Sequence, residues 1–213
     1  MKAKHEYFAM ETVDVDDIAA NQTTAGAAAL TLNGADIVAG EWVSIDGMAH
    51  QIAGESAGNI STVTFTIAGF SDLLRTRAIT DTITSINANA VESTKYFAVI
   101  TSITADGAVG TNVHFGAVDE AVSEPIIAAS GDLPISIQVD VTGTIDYTVE
   151  HTNSDIHDVT RTPVYIANAD LTTKTANDDA SYVAPIIAVR VKINSYSSGA
   201  TINLHMVQSR AVA

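Results

Sequence analysis

Residues 135–150 read ISIQVDVTGTIDYTVE. Ile135, Ile137, Val139, Val141, Ile145, Tyr147 and Val149 share one register with Gly143, and polar residues fill the other. A period of two buries one face of a strand and leaves the other wet. Drawn straight, these sixteen residues span about 53 Å, against a usual strand of about 5–6 residues. Gly143 has no side chain to pack, so it marks a bulge, a bend or a hairpin turn. A bend without reversal carries the ribbon across a sheet corner.

Strand signals recur along the rest of the chain: ALTLNG, IVAGEWVSIDG, AHQIAG, STVTFTIAG, AITDTITSI, KYFAVITSIT, AVGTNVHFG and EPIIAAS. Asn33–Gly34, Asp46–Gly47 and Asp106–Gly107 are hairpin signals. AITDTITSI leaves its buried face ambiguous. Near the C-terminus Ile187, Val189, Val191 and Ile193 alternate with polar or small residues. SSG then leads to Ile202, Leu204 and Met206, which predicts a hairpin with one apolar face. One helical turn is expected, SDLLRTRAI, with Ser71 as its N-cap. Short strands with almost no helix predict an all-β, antiparallel β-sandwich or jelly-roll-like fold over residues 13–213. A boundary near 119–132 would split it into two β-subdomains; a single sandwich fits the length equally.

Residues 1–12, MKAKHEYFAMET, fit neither period. They are expected to form an N-terminal arm, frayed or lying on a partner, with Lys2, Lys4, Tyr7 and Phe8 as its contact residues.

Composition narrows the function. Charged residues make up 16% of the 213-residue chain, below the roughly 25% of an ordinary domain. Mean hydropathy is +0.20, spread thinly over Ala, Val and Ile, and no stretch approaches the ~20 apolar residues of a membrane span. No signal-peptide core is visible at the start. There is no cysteine, which excludes a disulfide scaffold, a zinc ribbon and a thiol enzyme. Acids number 25 against 10 Lys plus Arg, with no basic residue between Lys4 and Arg75. Nucleic-acid binding needs clustered cations and is disfavoured.

Chemistry-bearing motifs are weak. His151, Asp155, His157 and Asp158 cluster in EHTNSDIHD, and DVDD at 14–17 and NDD at 177–179 are acidic. None has a zinc-protease or EF-hand frame, so solvated loops are expected and no metal or cofactor. Gly69-Phe70-Ser71 lacks the second glycine of a nucleophile elbow, and no phosphate-binding glycine loop is present. The chain reads as a non-enzyme.

Several segments together resemble a group of small tailed-bacteriophage virion proteins. They are NQTTAGAAALTLNGA, MAHQIAGESAGNISTVTFTIAG and STKYFAVITSITADGAVGTNVHFG, then LPISIQVDVTGTIDYTVEHT and IIAVRVKINSYSSGATINLHMVQS. The likeness covers roughly residues 20–210. It departs at FSDLLRTRAITDTI, where that group has a Gly/Asp-rich turn. The resemblance implies a capsid decoration, or cement, protein, made in the bacterial cytoplasm. It would sit as a homo-oligomer on the outside of the virion head, with the major capsid protein lattice as partner. The other class to weigh is a fibre- or adhesin-type receptor- or carbohydrate-binding β-sandwich, which would normally show long repeats or an aromatic-rich tip.

Overall fold

The computed structural model describes residues 2–128 and 134–208. Residues 129–132 of the expected internal boundary, residue 1 of the expected arm and the side chain of Lys2 lie outside that description. The chain is all-β, 54% strand, with eighteen strands among the described residues. A single 3-10 turn, Ala169–Leu171, begins where Asn168 Oδ1 accepts the Asp170 N–H.

In chain order the strands are β1 (Lys2–Ala9), β2 (Ala19–Thr24), β3 (Ala28–Ala29), β4 (Ile37–Val38), β5 (Glu41–Val43), β6 (Ala49–Ser56), β7 (Phe65–Phe70), β8 (Ala78–Ile83), β9 (Val91–Glu92), β10 (Val99–Ala105) and β11 (Val109–Val122). They continue as β12 (Ile126–Ile127), β13 (Ile135–Thr142), β14 (Ile145–Thr152), β15 (Ile166–Ala167), β16 (Asp178–Tyr182), β17 (Ala188–Tyr196) and β18 (Thr201–Gln208). The chain divides into two compact units: Met1–Thr12 with Val122–Ala213, and Val13–Ala121. The second unit is therefore an insertion between the first strand of the other unit and the remainder of it.

In the discontinuous unit, one sheet has the order β1-β18-β13-β16. β14 and β17 pair in a different sheet, with β15 on β14 and β12 on β17. β13 pairs with β18 from Ile135↔Gln208 to Thr142↔Thr201, and β14 with β17 from Ile145↔Tyr196 to Thr152↔Ala188. The two chains thus leave one sheet and enter the other together, as a single two-stranded ribbon bent at a corner. Gly143 makes the bend at φ 84°, and a Cβ there would lie 3.1 Å from Ala200 Cα. Across the bend the Ser197 N–H donates to Thr144 O at 2.9 Å. Of the alternatives open to Gly143, the structure selects the bend. The SSG connection, expected as a hairpin, is the ribbon's second crossing. It cannot close a hairpin because both edges of β18 are taken, by β1 and β13. The alternation itself is as expected: Ile135, Ile137, Val139, Tyr147, Val149, Ile202 and Leu204 are all buried.

Residues 2–9 are not a free arm. They form β1, the edge strand, antiparallel to β18 from Lys2↔Gln208 to Ala9↔Thr201. Met10 extends the pairing, donating its N–H to Ala200 O and accepting from Gly199. The driving force is the inward register at the strand's end, where Phe8 and Met10 are buried. Its start carries Lys4 and Glu6 in that same register, which hides the period in the sequence.

The inserted unit has a sheet ordered β4-β5-β10-β7-β8, with β3 on β10. β6 pairs with β9, and β11 with β2, outside that sheet. Its core gathers Trp42, Phe65, Ile67, Phe97, Ile100 and Phe115. Burying each such side chain contributes roughly 1.5–3 kcal/mol. Phe65 and Phe115 meet edge to face at 5.1 Å. Gly54 makes room for the Phe115 ring, since a Cβ there would lie 2.5 Å from its Cε1.

The three expected hairpin signals serve other ends. Asp46–Gly47 and Asp106–Gly107 connect strands that lie in different sheets. Gly34 permits close approach: its Cβ would lie 2.0 Å from Asp17 O. The two-residue hairpin turn is Ala39–Gly40, between β4 and β5, with φ of 54° and 86°. The expected helical turn at SDLLRTRAI is a loop of the β7–β8 hairpin. Its organiser is Asp72, not Ser71: the Asp72 carboxylate accepts the N–H groups of Thr76 and Arg77, both at 2.8 Å. A side chain that satisfies those donors locally competes with helix formation.

Candidate functional site

The residues expected on the arm are placed within their own chain. Lys4 Nζ donates to Ile127 O at 2.6 Å, Phe8 is buried, and Tyr7 remains 55% exposed. Between them Glu6 is partly buried, and its Oε2 has no hydrogen-bond partner. Burial, aided by Glu124 and opposed by Lys4, pushes its carboxyl up to about 7.

The acidic and histidine-rich loops are self-contained. Asp155 accepts the His157 N–H, and Asp158 accepts the Thr160 N–H and hydroxyl. His151 meets Tyr182 edge to face at 5.1 Å. Asn177 Oδ1 accepts the Val141 N–H, and Lys174 pairs with Asp178. Among the described residues no three His, Asp or Glu side chains converge as metal ligands, and no helix is long and apolar enough to cross a membrane.

The inserted unit holds a polar network absent from the sequence reading. His50, 3% exposed, lies with Nε2 3.0 Å from Asp46 Oδ2 and Nδ1 2.8 Å from Val118 O. The Val118 carbonyl only accepts, so Nδ1 carries a hydrogen, and in the charged ring Nε2 donates to the Asp46 carboxylate as well. Burial works against that charge, but Asp46 outweighs it and holds the histidine above its ordinary pKa. In turn His50 overcomes the burial of Asp46 and holds that carboxyl below the usual value. Asp46 also accepts from Ser44 Oγ and Met48 N. Nearby, Asp17 accepts the Ala117 N–H at 3.0 Å. Burial, against that bond and with help from Asp36, pushes Asp17 up to about 7. With both its nitrogens engaged and its side chain almost fully buried, His50 has no free atom with which to take a substrate proton. The network ties Asp46, β6 and β11 together. Asp46 and His50 stand at i, i+4 in DGMAH, a spacing visible in the sequence but silent outside a helix.

What the molecule offers outward is apolar edge and loop. In the discontinuous unit the Thr152 hydroxyl donates to Val164 O, and Thr152 O accepts from Ile187 N. Val164, Ile166 and Ile187 are exposed around this point, and both residues of the edge strand β15 are exposed. In the inserted unit, Leu74 stands 86% exposed at the tip of the β7–β8 loop.

No family model matches the chain, and no curated protein matches it. Among solved structures, the major capsid protein P2 from bacteriophage PM2 aligns over 98% of this chain and 99% of its own. The identity is 9% and the TM-score 0.21, too low to demonstrate a shared fold.

Proposed function

We propose that this chain is a structural virion protein of a tailed bacteriophage, a decoration protein that binds the outer face of the capsid lattice as a homo-oligomer and strengthens the shell. The observation that carries the reading is the set of virion-type strand motifs, which coincide with the elements that build the sheets. STVTFTIAG supplies residues 65–69 of β7 and KYFAVITSIT residues 99–104 of β10, while LPISIQVDVTGTIDYTVEHT and IIAVRVKINSYSSGATINLHMVQS contain the two chains of the corner ribbon. The acid excess suits an outer surface, where it keeps particles apart. The lattice contact is assigned to the apolar edge around Thr152, where β15 presents backbone and Val164, Ile166 and Ile187 present side chains. Cosedimentation of the purified protein with capsids of the parent phage tests this. Saturable binding supports it. Absence of binding moves the reading to a receptor-binding fibre module.

A further inference from the structure

We infer that the β7–β8 loop, residues 71–77, is a preformed contact by which two copies of this chain associate about a two-fold axis. The inserted unit, residues 13–121, carries 13 Asp and Glu against three Lys and Arg. Over most of such a surface a second copy is repelled. Two of the three cations, Arg75 and Arg77, follow Leu73–Leu74 in the loop, and Asp72 and Glu41 balance them: Arg75 Nη2 lies 2.6 Å from Glu41 Oε2. Glu41 is the cross-strand partner of Val38, itself 66% exposed. The tip is therefore apolar and charge-balanced on an otherwise acidic body.

The loop is also held ready. Asp72, buried, accepts two backbone N–H groups, Ser71 N–H closes on Arg77 O, and Arg75 is fixed at φ 59°. A strained non-glycine residue persists only where its surroundings over-determine it, and a rigid loop loses little entropy on binding. About a two-fold axis the same patch meets itself. Each Arg75 stays paired with Glu41 of its own copy, so the two tips meet without net charge and leucine packs on leucine.

This contact rests on the oligomeric part of the proposed function, and it is read on the protein alone, so its failure is separable from failure to bind capsids. Sedimentation equilibrium from roughly 1 to 500 µM, the range of weak interfaces, is expected to show a monomer–dimer equilibrium. Leu74→Asp should weaken the dimer at least ~10-fold and leave the melting temperature of the dilute monomer unchanged, because the side chain is exposed; Leu74→Ser is the second, milder variant. A wild-type protein that stays monomeric throughout, or a dimer indifferent to both variants, overturns the inference.

Discussion

Asp46 and His50 form an ion pair at 3.0 Å inside the inserted unit, with both side chains almost fully buried. Removing one partner leaves the other charge stranded, which costs roughly 3–5 kcal/mol. His50→Ala is expected to lower the stability of the protein by that order, measured by urea denaturation. An unchanged midpoint would show that the pair carries no net stabilisation.

Stability should depend on pH in a defined direction. Asp17 and Glu6 are both pushed up to about 7, from ordinary values of 3.8 and 4.5. A folded state that holds its proton more tightly is favoured at low pH, and that advantage is lost as pH rises through the folded value. His50, also raised, acts in the same sense. Asp46, lowered, opposes them only in stronger acid, where its protonation breaks the pair. The melting temperature should therefore peak near about pH 4, around the ordinary carboxyl values, and fall as pH rises toward about 7 to 8. Asp17→Asn should flatten that fall. A profile that rises from pH 5 to 8 would reverse the assigned signs.

Deletion of residues 2–9 should destabilise the discontinuous unit itself. It removes Phe8 and uncovers the β18 edge, at a cost of at least roughly 2 kcal/mol for the aromatic alone. Calorimetry of the truncated protein checks this; a free arm would leave the melting unchanged.

Gly143→Ala places a Cβ 3.1 Å from Ala200 Cα at φ 84°. The expected loss is about 1–3 kcal/mol, from strain at the corner. Gly199, at φ 77° on the opposite chain, has open space where its Cβ would stand, so its alanine variant should cost less. Equal costs at the two glycines would show that backbone conformation alone matters there.

The fold class was legible because period-two alternation survives wherever one face of a strand is buried, as in residues 135–150. Pairing was not, since it depends on which edges are already occupied. Asp46–Gly47 turns the chain as its residues demand, but between sheets. β1 was missed because Lys4 and Glu6 share the inward register with Phe8, and only the assembled sheet shows which residues point in. Asp72 was overlooked beside Ser71 because both are good caps, and the choice lies in which side chain reaches the Thr76 and Arg77 donors. The Asp46–His50 pair was invisible because its third member is the backbone carbonyl of Val118, distant in sequence.

The central claim is that the protein stabilises an assembled shell by binding it. A ligand that binds the lattice and not free subunits raises shell stability by mass action. Capsids lacking this protein, heated with and without it while DNA release is followed by dye fluorescence, test this directly. The account predicts a higher release temperature with the protein bound, saturating as sites fill. Bound protein that leaves the release temperature unchanged would contradict it.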